Sequence, residues 1–394
     1  MKKKLLSLLL SFLSLFISPI SSYGFELGVS AQSAVLMCVN NGKVLFSKNE
    51  NKRLSMASTT KIMTSLIALE AATPEREIVV TAEMVSVEGT SMGLKPGDSV
   101  SLRELVYGMM LQSGNDAANT VAYVLGESPN GFSEIMNKRA SEIGMKNSNF
   151  VTASGLDDKN HYSTAYDMAL LASECIKNPE FRNICSKKTA KLTYGNPPYA
   201  RTLTNHNRLL WRYSDCIGIK TGFTKKSGRC LVSAAERNGI ILVAITLNAG
   251  DDWNDHISMF EYGFSKCKPL TVGCDLEKFS LKICGGNSKS VPIKLSRDCI
   301  IPEDDYCTYK IFVKSFEYAP IKNGQIVGNA VFISDNRIID EIPIIACDSV
   351  ERAKPETPDN KNDKRYSFLS SIFSKLKNYL NNAFVTAFRG ERIG

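Results

Sequence analysis

The hydrophobic rhythm of this chain changes twice, and those changes constrain its fold more than any other feature of its 394 residues. Near the start, Ser33 to Val39 and Lys43 to Phe46 are apolar runs joined by Asn40-Asn41-Gly42, a strong hairpin signal. A block of helical periodicity follows: Ile62 to Leu69, bounded by Pro74; Leu102 to Leu111, with Ser101 as cap; Ala117 to Leu125; Phe132 to Ile143; and Ala165 to Ile176. From Cys216 the period returns to two, over Cys216 to Thr221, Leu231 to Ala235 and Ile240 to Leu247, with turns at 225–228 and 237–239. A last helix is predicted over Trp253 to Phe264. The pattern predicts an α+β fold: one antiparallel sheet whose first strands come from the N-terminal hairpin and whose remainder follows the helices packed around it.

After this first domain, 25–267, helical periodicity disappears. Short strands such as Ser290 to Leu295, Ile311 to Phe316, Ala330 to Ile333 and Ile338 to Ile344 predict a small all-β sandwich domain over 268–350. Residues 351–365 contain the polar, proline-bearing run KPETPDNKNDKR and read as a linker. Within 366–394, Tyr366, Leu369, Ile372, Phe373, Leu376, Leu380 and Phe384 recur on one helical face. Lysines inside that segment argue against spanning a bilayer, whereas a basic amphipathic helix after a flexible linker suits an anionic membrane surface. At the other end, Lys2 to Lys4, the apolar run Leu5 to Ile17 and the small residues around Ser22-Tyr23-Gly24 read as a signal peptide over 1–24.

The formal charge of +8 does not describe the body of the protein. Lys2 to Lys4 supply three of these charges, and nine basic against four acidic residues from Arg352 onward supply five, so 25–351 is neutral. A nucleic-acid surface is therefore not expected. Eleven cysteines are scattered without a CxxC pair and show no disulfide framework, and the three histidines, His161, His206 and His256, form no metal-ligand pattern, so neither metal nor cofactor is predicted. The scarcity of histidine also weakens a Ser-His-Asp scheme and turns attention to lysine.

Three clusters in sequence order then supply chemistry: Ser58-Thr59-Thr60-Lys61 opening an apolar helix, Ser113-Gly114-Asn115 between two helices, and Lys220-Thr221-Gly222 on a strand. Letters alone have decoys, among them Ser334-Asp335-Asn336, which falls after the Lys-Thr-Gly run and so in the wrong order. Three residues apart on a helix, Ser58 and Lys61 lie on one face within hydrogen-bonding reach. A serine hydroxyl needs a base, and lysine becomes one when burial and a second cation, here Lys220, lower its pKa. Ser113 is placed to relay a proton and Asn115 to hold Lys61 and a substrate amide. Free N–H groups at the helix start and the backbone N–H of Phe223 would hold an oxyanion, while Gly222 keeps the strand clear for an extended substrate. Thr221 offers a hydroxyl, and Lys220 a charge, to a substrate carboxylate.

These residues, with Leu111 to Ala117, Ser154-Gly155-Leu156-Asp157, Tyr162 to Ala169 and Gly218 to Gly222, resemble the serine D-Ala-D-Ala carboxypeptidases of the low-molecular-mass penicillin-binding protein family. The resemblance implies a β-lactamase/transpeptidase-like domain, a β-rich second domain and an amphipathic C-terminal anchor. It also implies acylation of Ser58 by peptidoglycan stem pentapeptides with loss of the terminal D-alanine, covalent reaction with β-lactam antibiotics, and a location at the outer face of the bacterial cytoplasmic membrane. Two departures stand out: some relatives carry histidine where Phe223 follows Lys-Thr-Gly, and some carry an arginine near the start of the last helix, where this chain has Asp251-Asp252-Trp253-Asn254-Asp255. Carboxylate recognition is then expected to rest on Thr221 and Lys220. The alternatives within the same chemistry are a DD-endopeptidase or a β-lactamase. Outside it, they are a β-lactam sensor, which would need a cytoplasmic module that the sequence does not display, or a wall-binding scaffold.

Overall fold

The computed structural model describes residues 27–276, 279–303, 305–334, 337–354 and 370–377. The expected signal at 1–24 lies outside them, as do most of the 351–365 linker and all of 366–394 except 370–377. The described residues form two compact units: the chain to Gly273 with 298–310 and 331–341, and residues 274–297, 311–330 and from 342 onward.

The first unit begins with the expected hairpin, β1 (Ser33–Cys38) and β2 (Val44–Lys48). The helices follow: α1 (Lys61–Glu70), α2 (Leu102–Gln112), α3 (Asn115–Gly126), α4 (Pro129–Ile143) and α5 (Ala165–Lys177). Then come β3 (Cys216–Thr224), β4 (Gly228–Arg237), β5 (Ile240–Ala249) and α6 (Asp252–Lys266). The sheet runs β2-β1-β5-β4-β3 and is antiparallel throughout, so β1 pairs with β5 across more than two hundred intervening residues.

Both faces of this sheet are covered, which explains why β1 reads as an unbroken apolar run. Val35 and Met37 point into the large core shared with the helices, whereas Ala34, Leu36 and Cys38 pack with Met259 and Phe260 of α6. Helix α1 is buried on every side from Lys61 to Leu69, as a central helix must be. Ser101 caps α2 in a reciprocal pair, its hydroxyl accepting from the Glu104 N–H while Glu104 accepts from the Ser101 N–H.

Several elements did not register in the hydrophobic rhythm: the short helices Ala82–Val85, Pro179–Cys185 and Leu209–Arg212, the short ladder pairing Glu77–Val79 with Ser99–Ser101, and the polar, largely exposed hairpin of Thr189–Tyr194 with Tyr199–Thr204. The C-terminal strands form a six-stranded sheet in the spatial order 308–313, 326–334, 337–346, 290–295, 280–284 and 317–318. Pro269–Val272 and Cys299–Pro302 make a separate two-stranded ladder. Cys38, Cys175, Cys185, Cys216, Cys230, Cys284, Cys307 and Cys347 are free thiols.

Candidate active site

Ser58 does not open the α-helix itself. It lies in a 3-10 turn, Ala57–Thr60, and the α-helical pattern begins at Lys61. The hydroxyls of Thr59 and Thr60 donate back to the carbonyls of Met56 (2.6 Å) and Ala57 (2.8 Å), which tightens the turn. Ala57 holds a positive φ of 46°, a strained conformation that sets the serine at the bend.

The Lys61 Nζ lies 3.0 Å from Ser58 Oγ, 2.7 Å from Asn115 Oδ1 and 2.7 Å from the Ser154 carbonyl oxygen. The last two atoms can only accept. In a neutral amine they take both N–H bonds and leave the lone pair facing the serine hydroxyl. Asn115 is fixed in this orientation because its Nδ2 donates to the Glu88 carbonyl at 2.6 Å. Burial holds the Lys61 pKa well below its ordinary value, the nearby Lys220 charge lowers it further, and Asp116 opposes both. Lys220 is itself 1% exposed and donates to the Thr221 carbonyl at 2.8 Å, and burial pushes its pKa down to about 7.

The second cluster divides between two elements. Ser113 ends α2 in the left-handed conformation, Gly114 precedes α3, and Asn115 is the first residue of α3 rather than part of a free turn. The third cluster runs along the edge strand β3, which lies directly against the nucleophile turn. A methyl group added at Gly222 would stand 3.1 Å from the Met56 carbonyl oxygen and from the backbone nitrogens of Ser58 and Thr59. Glycine here is a condition of the approach.

Ser58, Ser113, Asn115, Thr221, Gly222 and Phe223 all line one cleft of about 660 Å³. Lys61 and Lys220 lie beneath its surface, which suits a base and its second cation but takes Lys220 off the wall where a substrate carboxylate would rest.

Other residues organise the cleft without having signalled it in the sequence. The Asp116 carboxylate accepts from the backbone N–H groups of Met92, Gly93 and Leu94 and from the Ser91 hydroxyl, pinning the 89–94 loop whose Gly89 and Thr90 form part of the wall. His161 joins two further pieces: Nδ1 accepts from Val151 N–H (2.9 Å) and Thr152 N–H (3.3 Å), and Nε2 lies 2.8 Å from Thr60 Oγ1. The backbone donors fix the tautomer, so Nε2 carries the hydrogen and donates to Thr60. The loop bearing the Ser154 carbonyl is thereby tied to the nucleophile turn. Gly155, at φ +85°, passes so close to that turn that an added methyl would be 1.9 Å from the Ala57 carbonyl oxygen. His206, Arg208, Arg229, Asp252 and Trp253 also line the cleft.

Known proteins resemble this chain over most of its length. The family model described as D-alanyl-D-alanine carboxypeptidase matches residues 23–251, and the one described as penicillin-binding protein 5, C-terminal domain, matches 270–352. The D-alanyl-D-alanine carboxypeptidase DacF of Bacillus subtilis is 31% identical over 349 residues, covering 83% of this chain and 88% of the relative. DacC of Escherichia coli is 32% identical over 347 residues, covering 82% and 85%. Among solved structures, penicillin-binding protein 5 from Haemophilus influenzae superimposes with a TM-score of 0.59 at 27% identity, over 82% of this chain and 98% of that one. The Streptomyces K15 DD-transpeptidase gives 0.58 at 30% identity, over 60% and 98%.

Proposed function

The chain belongs to the D-alanyl-D-alanine carboxypeptidase family of serine peptidases, and from that membership we propose how its own residues perform the reaction. It is a serine-type D-Ala-D-Ala carboxypeptidase of the low-molecular-mass penicillin-binding proteins, acting on peptidoglycan stem peptides and binding β-lactams.

Lys61, as the neutral amine, takes the Ser58 proton while Oγ attacks the carbonyl carbon of the penultimate D-alanine. The oxyanion is held by the backbone N–H groups of Ser58 and Phe223. As the C–N bond breaks, the Ser113 hydroxyl gives its proton to the departing nitrogen and is resupplied from the Lys61 ammonium. Free D-alanine leaves. Water then cleaves the ester, its hydroxyl joining the acyl group and its proton restoring Ser58. Asn115 keeps Lys61 aimed, Lys220 disfavours the charged form of Lys61, and Thr221 and Gly222 align the extended substrate.

The observation that carries this reading is the 3.0 Å approach of a fully buried Lys61 amine to Ser58 Oγ, with two acceptor oxygens, Asn115 Oδ1 and the Ser154 carbonyl, each 2.7 Å from the same nitrogen. The test is D-alanine release from a peptide ending in Lys-D-Ala-D-Ala. Ser58→Ala and Lys61→Ala should both lose turnover, and Ser58→Ala should also lose covalent penicillin labelling. Release persisting in the serine variant would refute the assignment.

The tail is read as an anchor that holds the enzyme peripherally on the outer face of the cytoplasmic membrane. In support, residues 370–377 are helical and expose Ile372 (40%), Phe373 (73%) and Leu376 (56%). Among the described residues no helix is long and apolar enough to cross a membrane. Protein lacking 366–394 should leave the membrane fraction; its retention there would defeat this part of the proposal.

A further inference from the structure

A carboxypeptidase must recognise the negative charge at the end of its substrate, and neither motif lysine faces the cleft to do so. The Lys61 amine lies below Ser58 between its two acceptors, and the Lys220 ammonium is turned onto the Thr221 carbonyl. Two guanidinium groups do reach the cleft wall, those of Arg208 and Arg229. Arg208 precedes the short helix Leu209–Arg212 and is exposed.

Arg229 is placed differently. It stands directly opposite Phe223 in the β3–β4 ladder, so Thr221 is its diagonal neighbour, at a spacing of about 7–8 Å that an arginine side chain spans. A bulge in the ladder with β5, between Arg229 and Leu231, interrupts the regular alternation at this point. One edge of the guanidinium is already held: Nε donates to Asp252 Oδ1 at 3.0 Å, Nη2 donates to the same oxygen, and the Trp253 ring centroid lies 5.6 Å from Cζ. Asp252 is almost fully buried and is the first residue of α6, where the helix N-terminus favours a carboxylate. Among the described residues Nη1 has no acceptor, and the Arg229 side chain remains 43% exposed. One half of the group is braced and the other half faces the cleft, beside the threonine that the sequence already marked for carboxylate binding.

Resting on the carboxypeptidase reading, we propose that Arg229, braced by Asp252 and Trp253, binds the terminal carboxylate of the substrate together with the Thr221 hydroxyl. Asp252 acts as a positioning residue. The segment where some relatives carry an arginine, Asp251 to Asp255, supplies instead the carboxylate that orients one from the neighbouring strand.

The full chain should be assayed on two peptides, diacetyl-Lys-D-Ala-D-Ala and its C-terminal carboxamide, with R229Q, R229K and D252N beside the wild type. Loss of a charge-assisted contact should lower kcat/KM of R229Q on the acid by about tenfold to a hundredfold. The amide, which presents no charge, should change less than about twofold and so report an intact catalytic centre. R229K should recover part of the preference for the acid, and D252N should erode it. Acid and amide falling together in R229Q, an unchanged ratio, or a ratio lost in R208Q and kept in R229Q would each overturn the proposal. Absence of any turnover by the wild type on either peptide would overturn the carboxypeptidase reading, and this proposal with it.

Discussion

His161 should add to the acid sensitivity of the catalytic domain, and its replacement by glutamine should remove that share, leaving the one contributed by His256, whose pKa burial pushes down to about 3. The ring is buried between the 151–156 loop and the nucleophile turn, and as the neutral tautomer it accepts two backbone N–H bonds at Nδ1 while Nε2 donates to Thr60. Protonation would put a hydrogen where Val151 and Thr152 already donate. Burial accordingly pushes its pKa down to about 4, with Asp158 and Asp157 acting weakly in the opposite sense and Lys226 with it. A histidine in the unfolded chain titrates near 6.5, so above that pH neither state binds the proton and the group costs nothing. As pH falls from about 6.5 towards the folded value of about 4, the unfolded chain takes up a proton that the folded one refuses, and stability is lost at about 1.4 kcal/mol per pH unit. At about pH 4.5 the loss comes to roughly 2.5 kcal/mol, a large share of the ~5–15 kcal/mol that holds an ordinary domain together. Glutamine can accept at Oε1 and donate from Nε2 but does not titrate. Urea unfolding of wild type and His161→Gln at pH 7 and pH 4.5 isolates the effect, because every other titrating group is common to both. The wild type should lose about 2.5 kcal/mol more than the variant over that interval. Equal losses would show that this histidine does not refuse its proton, and the tautomer argument would fall.

Two further outcomes follow from the site. Removing the Lys220 charge in Lys220→Met takes away one influence that lowers the Lys61 pKa, so the acid limb of penicillin acylation should move to higher pH; a limb at unchanged pH would remove Lys220 from the activation of Lys61. Gly155→Ala places a methyl 1.9 Å from the Ala57 carbonyl oxygen at a φ of +85°, and should cost at least ~2 kcal/mol in unfolding experiments while slowing acylation of Ser58; wild-type acylation would mean that the turn yields freely.

The parts of this site that the sequence displayed are those carried by local geometry. Ser58 and Lys61 are three residues apart, and one helical turn brings them together whatever the rest of the chain does. Lys220 to Gly222 sit in a strand whose alternation is visible in its letters, and the order of the clusters follows from the order of the elements. What escaped notice depends on single residues meeting partners far along the chain. Asp116 holds a loop that begins more than twenty residues upstream, and His161 meets Thr60 across 101 residues; Asp116 directly follows Asn115, yet nothing local shows which backbone it will hold. Arg229 is the instructive intermediate. Its strand was anticipated only from Leu231 onward, because a charged residue at the entry to β4 breaks the apolar run. The departure at Asp251 to Asp255 was visible as a missing cation. A buried carboxylate at a helix start needs a counter-charge, and the antiparallel register puts a strand residue from the neighbouring hairpin within its reach. The antiparallel register therefore lets a strand residue supply the guanidinium that the start of α6 lacks, and Asp252 is the carboxylate that holds it in place.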